Sequence, residues 1–204
     1  MIKDKTAVTK KVRLAKEMAR LVIEHHFGSR PRRITHKSSG LSNLVFAVNH
    51  REGDFIVRIS PDQARMNSFI KEQWAQSEAS KAGVPTPEIL EVGNEVISQP
   101  FMISRVVKGN EALFHHERLK IVREMGRYAA LINSIQTKGF GTTFDWSSNL
   151  LSFNETWKDY LEKELQVENK LQILAKRKML PAREIEKIRR IIAEIGKLKF
   201  KPKL

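Results

Sequence analysis

From Val8 to Phe27 the apolar residues Val12, Leu14, Ala15, Met18, Ala19, Val22 and Ile23 recur three and four positions apart. That spacing gathers side chains on one face of an α-helix, and Gly28 is placed to end it. The next stretch changes period. Arg33–His36, Leu44–Asn49 and Phe55–Ile59 are short runs of β-branched and aromatic residues, separated by Ser38-Ser39-Gly40-Leu41-Ser42 and by Arg51-Glu52-Gly53-Asp54. Three antiparallel strands joined by two hairpins are predicted. A second helix is predicted from about Gln63 to Ala82, with Met66, Phe69, Ile70 and Trp74 on one face and Gly83 as its stop. Val84-Pro85-Thr86-Pro87 then holds the chain extended. Two more strands follow, Ile89–Val92 and Val96–Val107, turning at Gly93-Asn94-Glu95. After Gly109 the periodicity is helical, with segments near 115–135, 154–178 and 182–198.

This order predicts an α+β fold: a five-stranded antiparallel sheet with a helix packed on it, followed by an all-helical segment. The break at Lys108–Asn110 divides the chain into expected domains 1–107 and 108–204. With 204 residues and 41% hydrophobic content the chain can bury a core. The absence of cysteine excludes disulfides, zinc-thiolate sites and cysteine nucleophiles. No apolar run is long enough to span a bilayer, and the lysines interleaved through residues 1–16 leave no signal-peptide core, so a cytoplasmic protein is expected.

A net charge of +14 raises the question of nucleic acid, but its distribution answers against it. Residues 1–33 hold ten Lys/Arg against three Asp/Glu, residues 170–204 hold twelve against three, and residues 34–169 hold fifteen against seventeen. The excess sits on two terminal segments that read as amphipathic helices with solvated charged faces.

Candidate chemistry lies in the sheet. The loop Ser38–Asn43 is rich in serine and glycine, which lets backbone amides and hydroxyls approach phosphate oxygens, although such a loop also serves as a plain turn. In Asp54–Ile59 the alternation puts Phe55, Val57 and Ile59 on one side and Ile56 and Arg58 on the other. Glu72, on the second helix, is a candidate to hold Arg58 so that its guanidinium meets phosphate. The alternative is that Arg58 runs to solvent and Glu72 pairs with a local lysine such as Lys71. His25-His26 and His115-His116 are adjacent pairs expected to diverge on helices, so no metal site is read from them. Trp74, Trp146 and Trp157 are expected to be packed.

The run Gly40–Val48, then Phe55–Ile59, Glu72, Gly83–Leu90, Pro100–Ser104 and Gly109 resembles, in order and spacing, the amino-terminal half of aminoglycoside phosphotransferase and choline kinase-like small-molecule kinases. Leu131–Ile135 and Gly139–Gly141 extend the likeness, with Asn133 where many members have histidine. The resemblance implies a protein-kinase-like amino lobe followed by a partial helical carboxy lobe, with ATP as the bound nucleotide. It implies Ser42 and Asn43 in the phosphate-covering loop, Arg58 as the third-strand cation and Glu72 as its helix partner. Main-chain groups at Ser104 and Val106 would read the adenine edge, with Ile56 and Met102 lining that pocket or serving as core.

The family's catalytic aspartate and magnesium-binding asparagine stand in a loop resembling His-Gly-Asp, and no such triplet occurs in the chain. No catalytic residue or magnesium ligand is therefore expected within these residues, and the segment through Leu204 reads as leading toward that loop. The expectation is an ATP-binding portion of a kinase acting on a small hydroxyl acceptor, inactive by itself. The alternative is a non-catalytic module that docks an acidic partner through its basic terminal helices. A truncated product that self-associates through an uncovered carboxy-lobe surface is the third.

Overall fold

The computed structural model describes residues 5–37, 43–110, 112–141 and 154–204, with backbone only before residue 12. The Ser38–Ser42 loop and Trp146 lie outside the described residues. The chain packs as two compact units, Met1–Leu131 and Ile132–Leu204.

In the first unit, helix α1 (Lys5–Phe27) precedes strands β1 (Arg33–Lys37), β2 (Leu44–His50) and β3 (Gly53–Ile59). Helix α2 (Arg65–Lys81), strands β4 (Ile89–Gly93) and β5 (Phe101–Arg105), a 3-10 turn (Ala112–Phe114) and α3 (Arg118–Ile132) follow. The sheet is antiparallel throughout, in the order β1-β2-β3-β5-β4. The apolar stripe of α1 buries Ala15, Ala19, Val22 and Ile23 against Phe46, Val48, Phe55, Val57, Ile59, Phe101 and Ile103, which come from alternate positions of three strands. Small residues at 15 and 19 let the helix lie close to the sheet. The Gly28 amide donates to Glu24 O at 2.8 Å and its φ is +65°, a left-handed terminus that glycine adopts without a Cβ penalty.

Beyond the helix end, the Phe27 ring stacks on His50 at 4.7 Å and lies 4.7 Å from Phe55, so the exit of α1 is fixed to the β2–β3 hairpin. At the other edge a bulge between Ile89 and Glu91 turns Glu91 toward α1, where its carboxylate meets His26 Nδ1 at 2.5 Å.

Two sequence expectations need correction. The fifth strand starts at Phe101, not Val96: Pro100 has no N–H to give to a ladder, and Val96 and Ile97 pack against the core from an irregular segment. The helix expected over 154–178 is broken into α4 (Trp157–Asp159), a π-helical turn (Tyr160–Glu164) and α5 (Val167–Lys176), with Gln166 left-handed at φ +49°. A continuous helix would set residues 161 and 171 about 80° apart around its axis. With the break, Leu161 and Leu171 are both buried.

In this second unit α5 is followed by α6 (Ala182–Gly196). Arg189 on α6 donates from Nη2 and Nε to the two oxygens of Glu168 on α5, at 2.7 and 3.0 Å. That fork holds the Glu168 carboxyl below its ordinary pKa, and the aromatic rings of Phe140, Tyr160 and Phe200 surround Trp157.

Two expectations follow from this packing. Phe55→Ala, which empties the centre of the core, lowers the unfolding free energy by about 3–5 kcal/mol, read as an earlier urea midpoint with little change in slope. Arg189→Ala lets Glu168 titrate at higher pH, toward the usual carboxylate range, in a carboxyl NMR titration. The sign follows from the lowered pKa: the pair contributes while Glu168 is ionised and is lost as pH falls through the folded-state pKa.

Candidate functional site

The face of the sheet turned away from the α1 core carries the candidate chemistry. Strand register sets its side chains in rows. Thr35, Ala47, Ile56, Ser104 and Ile89 stand side by side, and two residues along stand Lys37, Val45, Arg58, Met102 and Val92. Because β3 alternates, the same strand that sends Phe55, Val57 and Ile59 into the core delivers Ile56 and Arg58 here.

The two alternatives for Arg58 resolve in favour of the pair. Its Nη2 donates to Glu72 Oε1 at 2.6 Å, and Gln76 Nε2, one turn along α2, donates to the same oxygen at 3.1 Å. The guanidinium carbon lies 5.3 Å from the centre of the Phe69 ring, and the Met102 sulfur accepts from the same Nη2. The side chains of Arg58 and Glu72 are 25% and 35% exposed, so the ion pair is partly shielded while the cation stays reachable. Arg58 is thus held from one side by α2 and from below by the sheet.

A cleft of about 380 Å³ opens on this face, lined among others by Arg33, Thr35, Lys37, Ala47, Asp54 and Val106. It brings Val106 together with side chains that the sequence reading did not single out. Thr35, Lys37 and Ala47 were missed because each is an ordinary strand residue; only the register, once two hairpins are aligned, shows that they share a row with Ile56 or Arg58. Asn43, just before β2, lies at the Arg58 end of the rows, and its carboxamide oxygen is buried with no hydrogen-bond partner among the described residues. Ser42 falls outside the described residues.

At the opposite end the main chain is more committed than the sequence implied. The Val106 amide donates to Asp54 O at 3.0 Å and the Arg105 amide to Glu88 O at 2.8 Å. By the antiparallel alternation, the bond at 106 places Ser104 opposite Ile56 in the hydrogen-bonded class as well. What Ser104 offers to the face is its side-chain hydroxyl, and what Val106 offers is its carbonyl.

A larger cleft, about 540 Å³, lies in the second unit between α5 and α6, walled by Leu161, Val167, Leu171 and Ile192. It contains none of the candidate residues, and its guanidinium, Arg189, is already held by Glu168 and Glu186. Size alone does not make it the site. His115 and His116 do not diverge as expected: both precede α3, off the helix, and their rings stack at 4.5 Å and 25°. With Glu117 they are the one group of three potential metal ligands among the described residues, all exposed. Two imidazoles and one carboxylate do not suit magnesium, a hard cation that takes oxygen ligands.

Comparison with known proteins bears on the family and the fold. The model of the phosphotransferase enzyme family matches residues 33–194, most of the chain. The chain belongs to the phosphotransferase enzyme family. Among solved structures it is similar to a thermostable mutant of aminoglycoside phosphotransferase APH(4)-Ia in ternary complex with AMP-PNP and hygromycin B, with TM-score 0.56 and 20% identity over 72% of this chain and 48% of that one. Another thermostable mutant of that enzyme, in the same ternary complex, gives TM-score 0.59 and 18% identity over 86% of this chain and 57% of that one. A fructosamine-3-kinase-like protein from Haemophilus somnus 129PT gives TM-score 0.58 and 17% identity over 91% and 63%. At such identities the likeness is one of fold. The chain spans about half the length of the structures it matches first. No curated protein matches. In the family's terms the sheet with α2 is the kinase-like element, and no helix among the described residues is long and apolar enough to cross a membrane.

Removal of one partner tests the Arg58 anchorage. Glu72→Ala costs about 1 kcal/mol of stability, since it strands a partly shielded guanidinium. Glu88→Ala, which breaks the more exposed pair with Arg105, costs less than about 0.5 kcal/mol. Parallel urea titrations check the ranking.

Proposed function

We propose that this chain is the ATP-binding portion of a small-molecule phosphotransferase that, in a longer parent, transfers the γ-phosphate of ATP to a hydroxyl-bearing acceptor. The observation that carries the reading is the Arg58–Glu72 pair, set on the open face of the sheet one row from the strip Thr35, Ala47, Ile56 and Ser104. A purine needs a flat, narrow, apolar ceiling, and small or slim side chains from adjacent strands provide one. A polyphosphate needs a fixed cation, and Glu72 and Met102 hold Arg58 through Nη2, which leaves Nε and Nη1 to meet phosphate. The two requirements are met at successive rows of one face, in the order base then phosphate.

In this reading Ser104 and Val106 meet the adenine edge through a hydroxyl and a carbonyl. Ser42 and Asn43 meet the phosphates. The Asn43 carboxamide, turned over, presents N–H donors where its buried oxygen now has no partner. Residues 1–107 form the nucleotide-holding lobe and residues 108–204 part of a helical lobe. A relative with the same fold has been captured with AMP-PNP and hygromycin B, which supports ATP and a small hydroxylated acceptor as the ligand classes. Residues 1–204 contain no His-Gly-Asp triplet, so the reading gives them nucleotide binding and assigns them neither the catalytic base nor a magnesium ligand.

Calorimetric titration with ATP is the test. Saturable binding without ADP release on prolonged incubation is expected, and Arg58→Ala weakens binding about tenfold, the equivalent of one charge-assisted hydrogen bond. Absence of binding, or affinity untouched by Arg58→Ala, overturns the nucleotide site.

A further inference from the structure

Lys37 stands in the same row as Arg58, on the other side of Val45. The register pairs Lys37 with Val45 and Val45 with Arg58, so the two cations flank β2 on the open face, their backbones about 10 Å apart at two strand spacings. The alternation in β1 is supported independently: Ile34 packs against the α1 core and His36 lies 5.4 Å from the core ring of Phe46, which leaves Thr35 and Lys37 on the open face. Lys37 lines the cleft that also holds Val106, and its side chain is exposed.

The charges around it make the placement informative. Arg58 is balanced by Glu72. Asp54, the acidic residue of β3 on this face, sits at the far row and accepts from Asn49 at 2.7 Å. Arg33 lies on that far row as well. Lys37 has no ion-pair partner among the described residues, and the side chain between it and Arg58 is the uncharged, half-buried Val45. Lys37 therefore leaves a surplus positive charge on this face, in one row with Arg58 and separated from it by an apolar residue, which suits an extended polyanion able to touch both cations. A single phosphate spans one of them; a di- or triphosphate spans both.

We infer that Lys37 and Arg58 form a two-cation clamp across Val45 that selects nucleotides by the number of their phosphates, Lys37 being a binding residue of the polyphosphate in its own right. This rests on the nucleotide reading above and adds a residue and a selectivity to it. The clamp accounts for a lysine on an edge strand that has no acidic neighbour in its row, and it places the phosphates at the end of the sheet from which the 38–42 segment departs.

The test is a set of calorimetric titrations of the full chain with adenosine, AMP, ADP and ATP, in wild type, Lys37→Ala, Lys37→Arg and Arg58→Ala. Expected is a wild-type affinity that rises from AMP to ATP, with Lys37→Ala weakening ATP and ADP about tenfold, leaving adenosine unchanged, and Lys37→Arg restoring most of the loss. Because Lys37 is exposed, an unchanged thermal melt confirms that the variant is folded. If wild type binds ATP and Lys37→Ala binds it equally well, the clamp is wrong while the nucleotide site stands. An equal loss for adenosine and ATP also overturns it, since that marks a structural effect. If wild type binds none of the four, both the clamp and the nucleotide reading fall.

Discussion

The two faces of β3 make opposite demands, and the rest of the first unit follows from keeping them apart. Phe55, Val57 and Ile59 must leave water, and Arg58 must stay near it. A strand meets both because its side-chain period is two, but only in one register: a slip of a single residue would send the guanidinium into the α1 core and three large apolar side chains into solvent. Burying an unpaired cation costs several kcal/mol, on the order of the net stability of a whole domain. The register that puts Arg58 outside therefore also lines up Val45 and Met102 beside it and Ala47, Ile56 and Ser104 in the next row.

The helices are arranged around that choice. On the core side, α1 supplies an alanine-lined stripe that seals Phe46, Phe55 and Phe101. On the other side, α2 contributes few buried residues, Phe69 and Ala79, and is tied to the sheet in good part by polar contacts: Glu72 to Arg58, supported by Gln76, and the Phe69 ring beneath the guanidinium. A helix held by one ion pair and a few apolar contacts is positioned by electrostatics as much as by packing. In a phosphotransferase fold this links the placement of α2 to the charge state of the same face that would receive a polyanion.

Much of the fold was legible in the chain. Alternation at Phe55–Ile59, the three- and four-residue spacing through Val12–Ile23 and the glycines at 28 and 83 marked strands and helices whose ends the structure moves by only a few residues. What failed did so for identifiable reasons. The start of β5 was misjudged because Val96 and Ile97 are apolar for packing and not for pairing, with Pro100 as the ignored sign. The break at Gln166 carries no glycine or proline to announce it; it follows from where Leu161 and Leu171 must point. His115 and His116 stack because the helix expected from about residue 115 starts only at Arg118, which leaves both residues off it.

By itself, then, the sequence determined the order and type of the elements, the two-sidedness of β3 and the residues eligible to pair, because periodicity and turn chemistry are local properties of the chain. It named Arg58 and Glu72 but left their contact open, since they stand fourteen positions apart and a helix orientation decides whether they meet. Only the tertiary structure decided that contact, the rows that join Lys37, Val45 and Arg58, and the engagement of the Val106 amide by Asp54. Those are relations between strands, and a strand's neighbour is chosen by hydrogen-bond pairing and core packing across the sheet, which no stretch of sequence contains on its own.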